Sequence, residues 1–212
     1  MGYEVKCHVA CTPLRYHGYS HVNGMEGNSR MDLFDEMPYL EGERIVLREM
    51  VAADATALEE LTSSPNVYRY VPTYLYEMQY EDKRMAIANM RRGCFDARQC
   101  VLLAICWRNE PGQMLGIAEM YHYRPDEGIV SIGIRLLERE WGQGIASEVT
   151  ALMKDYLVNV VGCKVITGHV MIENGASAHM VEKSGFHNCG RELWEDWGFG
   201  PVEVNRYVYE VS

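Results

Sequence analysis

The segment Ile132–Ala146, reading IGIRLLEREWGQGIA, constrains the fold more than any other stretch of this chain. Apolar residues of strand character end in a turn containing Gly142 and Gly144. A long run to about residue 160 follows, with Ile145, Val149, Leu152, Met153, Tyr156 and Leu157 on one face at helical spacing. A strand that feeds a helix through such a turn aims uncapped backbone N–H groups and the positive end of the helix dipole at one point. That point suits an anion, and glycines let a ligand approach the backbone closely. The same text also fits an ordinary strand-to-helix turn. A dinucleotide loop needs G-x-G-x-x-G, and Ser147 stands where the third glycine would fall. The Lys-Ser/Thr pair of a Walker loop is absent as well.

The remainder of the chain alternates strand and helix signals. Residues 44–50 alternate as a strand, and Asp54 is placed to cap a helix over 55–63 that ends before Pro65. A helix is expected over 81–96, then strands over 100–107 and 114–121 joined by a turn at 109–112. A strand over 129–136, the long helix, a strand over 164–172, a short helix over 176–184 closed by Gly185, and a last strand over 202–211 complete the order. Residues 1–38 form an extension of different texture, rich in Gly, His, Tyr and Asn near its start. It is open to three readings: a misread upstream start before Met31, an unstructured or regulatory tail, or an ordered arm. The folded domain is expected over 44–210.

Two blocks carry a resemblance. Arg139-x-x-Gly142-x-Gly144 is similar to the R/Q-x-x-G-x-G/A signature of the GNAT N-acetyltransferase superfamily. The run from Asn174 through Ser177 to Glu182-Lys183-Ser184-Gly185-Phe186 resembles that family's N-x-x-S…E-K-x-G-F segment, closest to the branch that includes the ribosomal-protein N-terminal acetyltransferases. The resemblance implies an α/β (α+β) GNAT fold. It has a mixed, mostly antiparallel sheet of about six to seven strands, helices on both faces and a splay in the middle for acetyl-CoA. It implies that Arg139, Trp141, Gly142, Gln143, Gly144, Ile145 and Ala146 form the pyrophosphate loop of acetyl-CoA. Ile134 and Leu136 would pair with the pantetheine arm, and Asn174 and Ser177 would face that arm near the thioester. Many relatives place a tyrosine acid seven residues after the Asn; Val181 stands there, so Ser177 is the local candidate for donating to the sulfur.

The implied reaction is acetyl transfer from acetyl-CoA to a primary amine, a protein N-terminus or a small molecule, by direct attack in a ternary complex. No protein nucleophile is needed, since the reactive group belongs to the co-substrate. Glu119 is the candidate base because a carboxylate in mid-strand is costly to bury without a purpose. An exposed face, a structural ion pair and a water relay are the competing readings. His122, Glu173, the Glu195-Asp196-Trp197 loop and Tyr68, Tyr70, Tyr74 and Tyr76 are weaker candidates for the acceptor side. A non-catalytic acyl-CoA-binding module on the same fold is the alternative function.

Composition excludes other classes. A net charge of −10 provides no basic footprint for nucleic acid, and no apolar run is long enough to span a bilayer. Seven cysteines, an odd number, are read as thiols of a reducing compartment, so a cytoplasmic location is expected. The pattern Cys7, Cys11, His17, His21 has zinc-type ligands but too short a central spacer, so no metal is expected. A homodimer is the ordinary expectation for oligomeric state.

Overall fold

The computed structural model describes residues 31–72 and 75–211, together with the backbone of the two-residue strand β1 (Arg15–Tyr16). After β1 the chain forms β2 (Leu40–Glu41), β3 (Ile45–Glu49), α1 (Ala55–Ser63), α2 (Pro65–Tyr68) and α3 (Lys83–Met90). Then come β4 (Cys100–Trp107), β5 (Glu110–Arg124), β6 (Ile129–Leu136), α4 (Ile145–Tyr156), β7 (Val165–Met171), α5 (Gly175–Lys183), β8 (His187–Asp196) and β9 (Pro201–Glu210). One sheet takes the order β1-β2-β3-β4-β5-β6-β7-β9-β8, and its described neighbours are antiparallel except β6 and β7.

Alternation along the strands sends side chains to two cores. Ile45, Leu47, Val101, Leu103, Ile105 and Met120 pack under Val149, Leu152, Met153 and Tyr156 of α4. Val46, Leu102, Ala104 and Ile117 pack on the other face against Leu58, Leu61, Ala86, Ile87 and Met90. Each wholly buried leucine stabilises the fold by about 1.5–3 kcal/mol relative to exposure. The expected helices on both faces follow from this two-sided burial.

A bulge in β5 decides which way Glu119 points. Ile105 pairs with Gly116 and Cys106 with Met114, leaving Leu115 as an extra residue. Met114 and Ile117 therefore share the α1/α3 face although three positions apart, and Glu119 follows Ile117 onto it. Gly116 is required at this point, because a Cβ there would lie 2.1 Å from the Arg135 carbonyl oxygen.

Several local expectations are corrected. The β4–β5 turn is Arg108-Asn109, since Trp107 pairs with Glu110, and Pro111 falls inside β5. Asp54 stands at the N-cap of α1 as expected but makes no side-chain cap bond there; its buried carboxylate accepts from Val51 N at 2.8 Å and from Arg48 at 2.7 and 2.8 Å. The expected helices over 81–96 and 144–160 are each an α-helix that relaxes into a π-type turn, at Arg91–Asp96 and Leu157–Val161. Strand β8 was not foreseen, and its text carries too little alternation to announce it. The sheet exceeds six or seven strands because β8 and the two-residue strands β1 and β2 extend its edges.

Candidate active site

Strands β6 and β7 run parallel but pair only over Ile129–Ser131 and Val165–Thr167. The last rung is closed by the Ser131 and Thr167 hydroxyls, 2.7 Å apart and buried. Beyond it the strands part, so residues 132–136 of β6 keep β5 on one side while β7 pairs onward with β9. Parallel direction puts the carboxyl ends of both strands, and the N-termini of the helices that follow them, at the same end of the sheet. That is the ordinary place for a ligand crevice in such topologies.

One flank of the split is made of backbone. Gly142 and Gly144 have φ of +74° and +77°, the left-handed region that disfavours side chains. A Cβ on Gly142 would meet nothing within 4 Å, and one on Gly144 only Arg44 Nη2 at 3.6 Å. Gly144 is the N-cap of α4 and brings no side chain to its first amides. The loop is held from outside. Trp141, itself exposed, donates its indole N–H to the Leu136 carbonyl at 3.0 Å, and Gln143 Nε2 donates to Arg139 O and Glu140. Arg44 donates to the Gln143 carbonyl and to Glu148, which also accepts the Arg44 and Ile45 amides. Glu138 accepts from Ser64 and Asn66, and those bonds draw its carboxyl below the usual range. Open left-handed glycines before an uncapped helix suit a phosphate group.

The other flank is made of charge. Glu119 pairs across β5–β6 with Gly133, whose missing side chain leaves space beside the carboxylate; a Cβ there would be 3.4 Å from Glu119 Oε2. Arg135 Nη1 donates to Glu119 Oε2 at 2.8 Å, and Arg135 Nε lies 2.8 Å from Glu77 Oε1. The Tyr68 hydroxyl donates to Glu77 at 3.1 Å. Exposure differs among them: Glu77 keeps 1% of its side chain in solvent, Arg135 5% and Glu119 12%. Burial works against the Arg135 charge, but Glu77 and then Glu119 more than offset it, so the guanidinium is held above its ordinary range. Burial first, then Glu77, pushes the Tyr68 hydroxyl far up, and it stays protonated.

A GNAT acetyltransferase domain matches residues 44–187. The chain belongs to the GNAT acetyltransferase family. Members of this family use acetyl-CoA, and the glycine turn and split of this GNAT chain fit that group's phosphates and extended arm. An uncharacterized N-acetyltransferase of Bacillus subtilis, YoaA, is 24% identical over 153 residues, covering 72% of this chain and 85% of that protein. A Vibrio cholerae structure provisionally assigned as a ribosomal-protein-serine acetyltransferase superposes with TM-score 0.70 at 14% identity, over 85% of this chain and 100% of that one. A chimera of Vibrio cholerae spermidine N-acetyltransferase SpeG with hSSAT superposes with TM-score 0.65 at 18% identity, over 79% and 96%. At such identities these likenesses establish the fold, and resemblance to the ribosomal-protein branch stays a likeness.

The GNAT chain gathers some expected residues and not others. Gly142, Gln143, Gly144, Ile145 and Ala146 form the turn and first helical residues, and Ile134 and Leu136 lie on the part of β6 that pairs with β5 but not with β7. Asn174 caps α5 by accepting from Ser177 N at 3.2 Å, which puts both where β7 ends. Arg139 is paired with Glu60 and Glu140, so its guanidinium is already occupied by carboxylates. Glu119 is brought to the split, with the ion pair that was its competing reading. His122 is not: it is exposed in a second β5 irregularity, with φ +51°, beside the closed half of β6. Glu173 is exposed in the turn after β7. Tyr70 packs on Met171, Trp197, Val202 and Val204, on the β7 side of the split, while Tyr76 packs in the α1/α3 core and donates to the Gly93 carbonyl. Asp196 closes the β8–β9 turn by accepting from Gly198 and Gly200. Tyr74 and the side chain of Glu195 lie outside the described residues, as do Cys7, Cys11, His17 and His21. Among the described residues no group of three His, Cys, Asp or Glu could hold a metal, and no helix is long and apolar enough to cross a membrane. Sequence reasoning missed Glu77 and Arg135. Arg135 carried a signal, a charge inside the apolar run IVSIGIRL; Glu77 carried none.

Proposed function

We propose that this GNAT protein moves the acetyl group of acetyl-CoA directly to a primary amine, with both substrates bound in the split. The observation that supports the reading most is the parting of β6 and β7 between a backbone anion turn and a buried carboxylate cluster. Acetyl-CoA, when bound, supplies an acetyl group already activated as a thioester. The amides from Gly142 to Ala146 hold its pyrophosphate, and the open edge of Ile134–Leu136 aligns its amide-rich arm. A backbone N–H of that edge polarises the carbonyl to be attacked. Glu119 holds the incoming ammonium and takes the proton it must lose before the amine can attack. Ser177 donates a hydrogen bond to the leaving sulfur. The acceptor is a protein N-terminus or a small amine; of the Vibrio cholerae relatives, one is named for a ribosomal-protein serine and the other for spermidine.

A thiol-release assay with acetyl-CoA and a panel of peptides, polyamines and simple amines tests this. Release that depends on an amine is expected. Tight acetyl-CoA binding with no amine-dependent release across the panel would instead favour a non-catalytic acyl-CoA-binding module.

A further inference from the structure

The cluster facing the split is not a matched ion pair. Arg135 is shared between Glu77 and Glu119, and one guanidinium against two carboxylates leaves one negative charge in excess. The neighbouring hydroxyl, Tyr68, is held neutral and donates to Glu77. The next cation, Lys83, does not cancel the excess, because it donates to the Glu77 and Tyr80 carbonyls and faces Glu59 at 4.0 Å. Arg48 is likewise matched by Asp54. A buried net charge is unfavourable unless something of opposite sign sits beside it. Of the two carboxylates, Glu77 is sealed, while Glu119 keeps some exposure and adjoins the Cβ-free Gly133 at the start of the split.

We infer that Glu77 is a specificity-determining residue: by competing for Arg135 it leaves Glu119 a full charge to offer, so that the site selects acceptors that arrive as aliphatic ammonium ions. Glu77 touches no substrate and acts through Arg135. Aryl amines and other amines that are neutral at pH 7 gain nothing from that charge. The assignment rests on the reading that Glu119 faces the acceptor.

Charge rescue tests it. Glu77→Gln keeps a partner for Tyr68 but makes the cluster neutral. Combining it with Arg135→Gln restores the excess of one while keeping a donor for Glu119. With acetyl-CoA saturating, Glu77→Gln is expected to raise KM for an aliphatic amine about tenfold or more, as expected for one charge lost at short range in a partly buried site. KM for an aryl amine and for acetyl-CoA should stay within about twofold. The double variant should recover the aliphatic KM to within about threefold of wild type. A double variant no better than Glu77→Gln would overturn the inference, since a packing role for Glu77 cannot be repaired by a second substitution. Glu119→Gln separates the two levels: no effect on any amine would remove Glu119 from the acceptor side and with it the parent reading. Wild-type protein supplies an arm that needs no variant to fold. A trimethylammonium ligand should compete with the amine about tenfold more tightly than its neutral tert-butyl isostere. Equal inhibition would also overturn the inference.

Discussion

The turn at Gly142–Gly144 and the cluster around Arg135 flank the same split and are built from opposite materials. The turn offers amides and a helix terminus on left-handed glycines; the charged side chains of Glu138 and Arg139 are taken up by Ser64, Asn66 and Glu60, and Arg44 holds the Gln143 carbonyl. The cluster offers almost no backbone; it is two carboxylates, a guanidinium and a phenol drawn from four separate parts of the chain. The turn should therefore tolerate changes in side-chain charge and fail when a glycine acquires a side chain. The cluster should behave the other way round. The contrast also separates the two substrates, because a phosphate-bearing group needs donors fixed in space whereas an ammonium ion needs charge.

Removing the shared cation should have the largest effect. Arg135→Met strands two buried carboxylates, and urea or thermal unfolding should show a loss of about 3–5 kcal/mol; a loss below about 1 kcal/mol would mean the cluster is far wetter than its burial indicates. Next comes Glu119→Gln, which should lower kcat by about 10²-fold or more if the carboxylate takes the amine's proton. An unchanged kcat would hand that role to water. Gly144→Val forces a branched residue into left-handed geometry at about 1–2 kcal/mol, so KM for acetyl-CoA should rise roughly five- to thirtyfold. The smallest effect belongs to Arg139→Ala. Its pair with Glu60 is exposed on both sides and only the Glu140 end of the second pair is buried, so stability should change by about 1 kcal/mol or less, with acetyl-CoA affinity nearly kept. A large loss of that affinity would show that the arginine, rather than the backbone beside it, carries the family's motif in this chain.

The two flanks were unequally legible. The turn is written in contiguous text: a strand, two glycines and an amphipathic helix mark a candidate anion turn locally, and the structure places the elements within a few residues of where periodicity put them. The cluster is assembled across 68 to 135, and nothing near Glu77 in its irregular aromatic surroundings points to a partner. Glu119 could be flagged as an unusual carboxylate in a strand. Its facing could not be read, because that depends on the bulge at Leu115 and on Gly116 clearing the Arg135 carbonyl, both consequences of strand pairing. Strand β8 was lost for a related reason, since it is recruited by β9 and not by its own alternation.

The division of labour across the split is tested most directly by calorimetric titration of acetyl-CoA in the absence of amine, into wild type, Gly144→Val and Glu119→Gln. The account predicts affinity roughly fivefold or more weaker for Gly144→Val, from the same left-handed penalty, and affinity within about twofold of wild type for Glu119→Gln. The opposite pattern, with Glu119→Gln losing acetyl-CoA and Gly144→Val keeping it, would contradict the assignment of the two flanks.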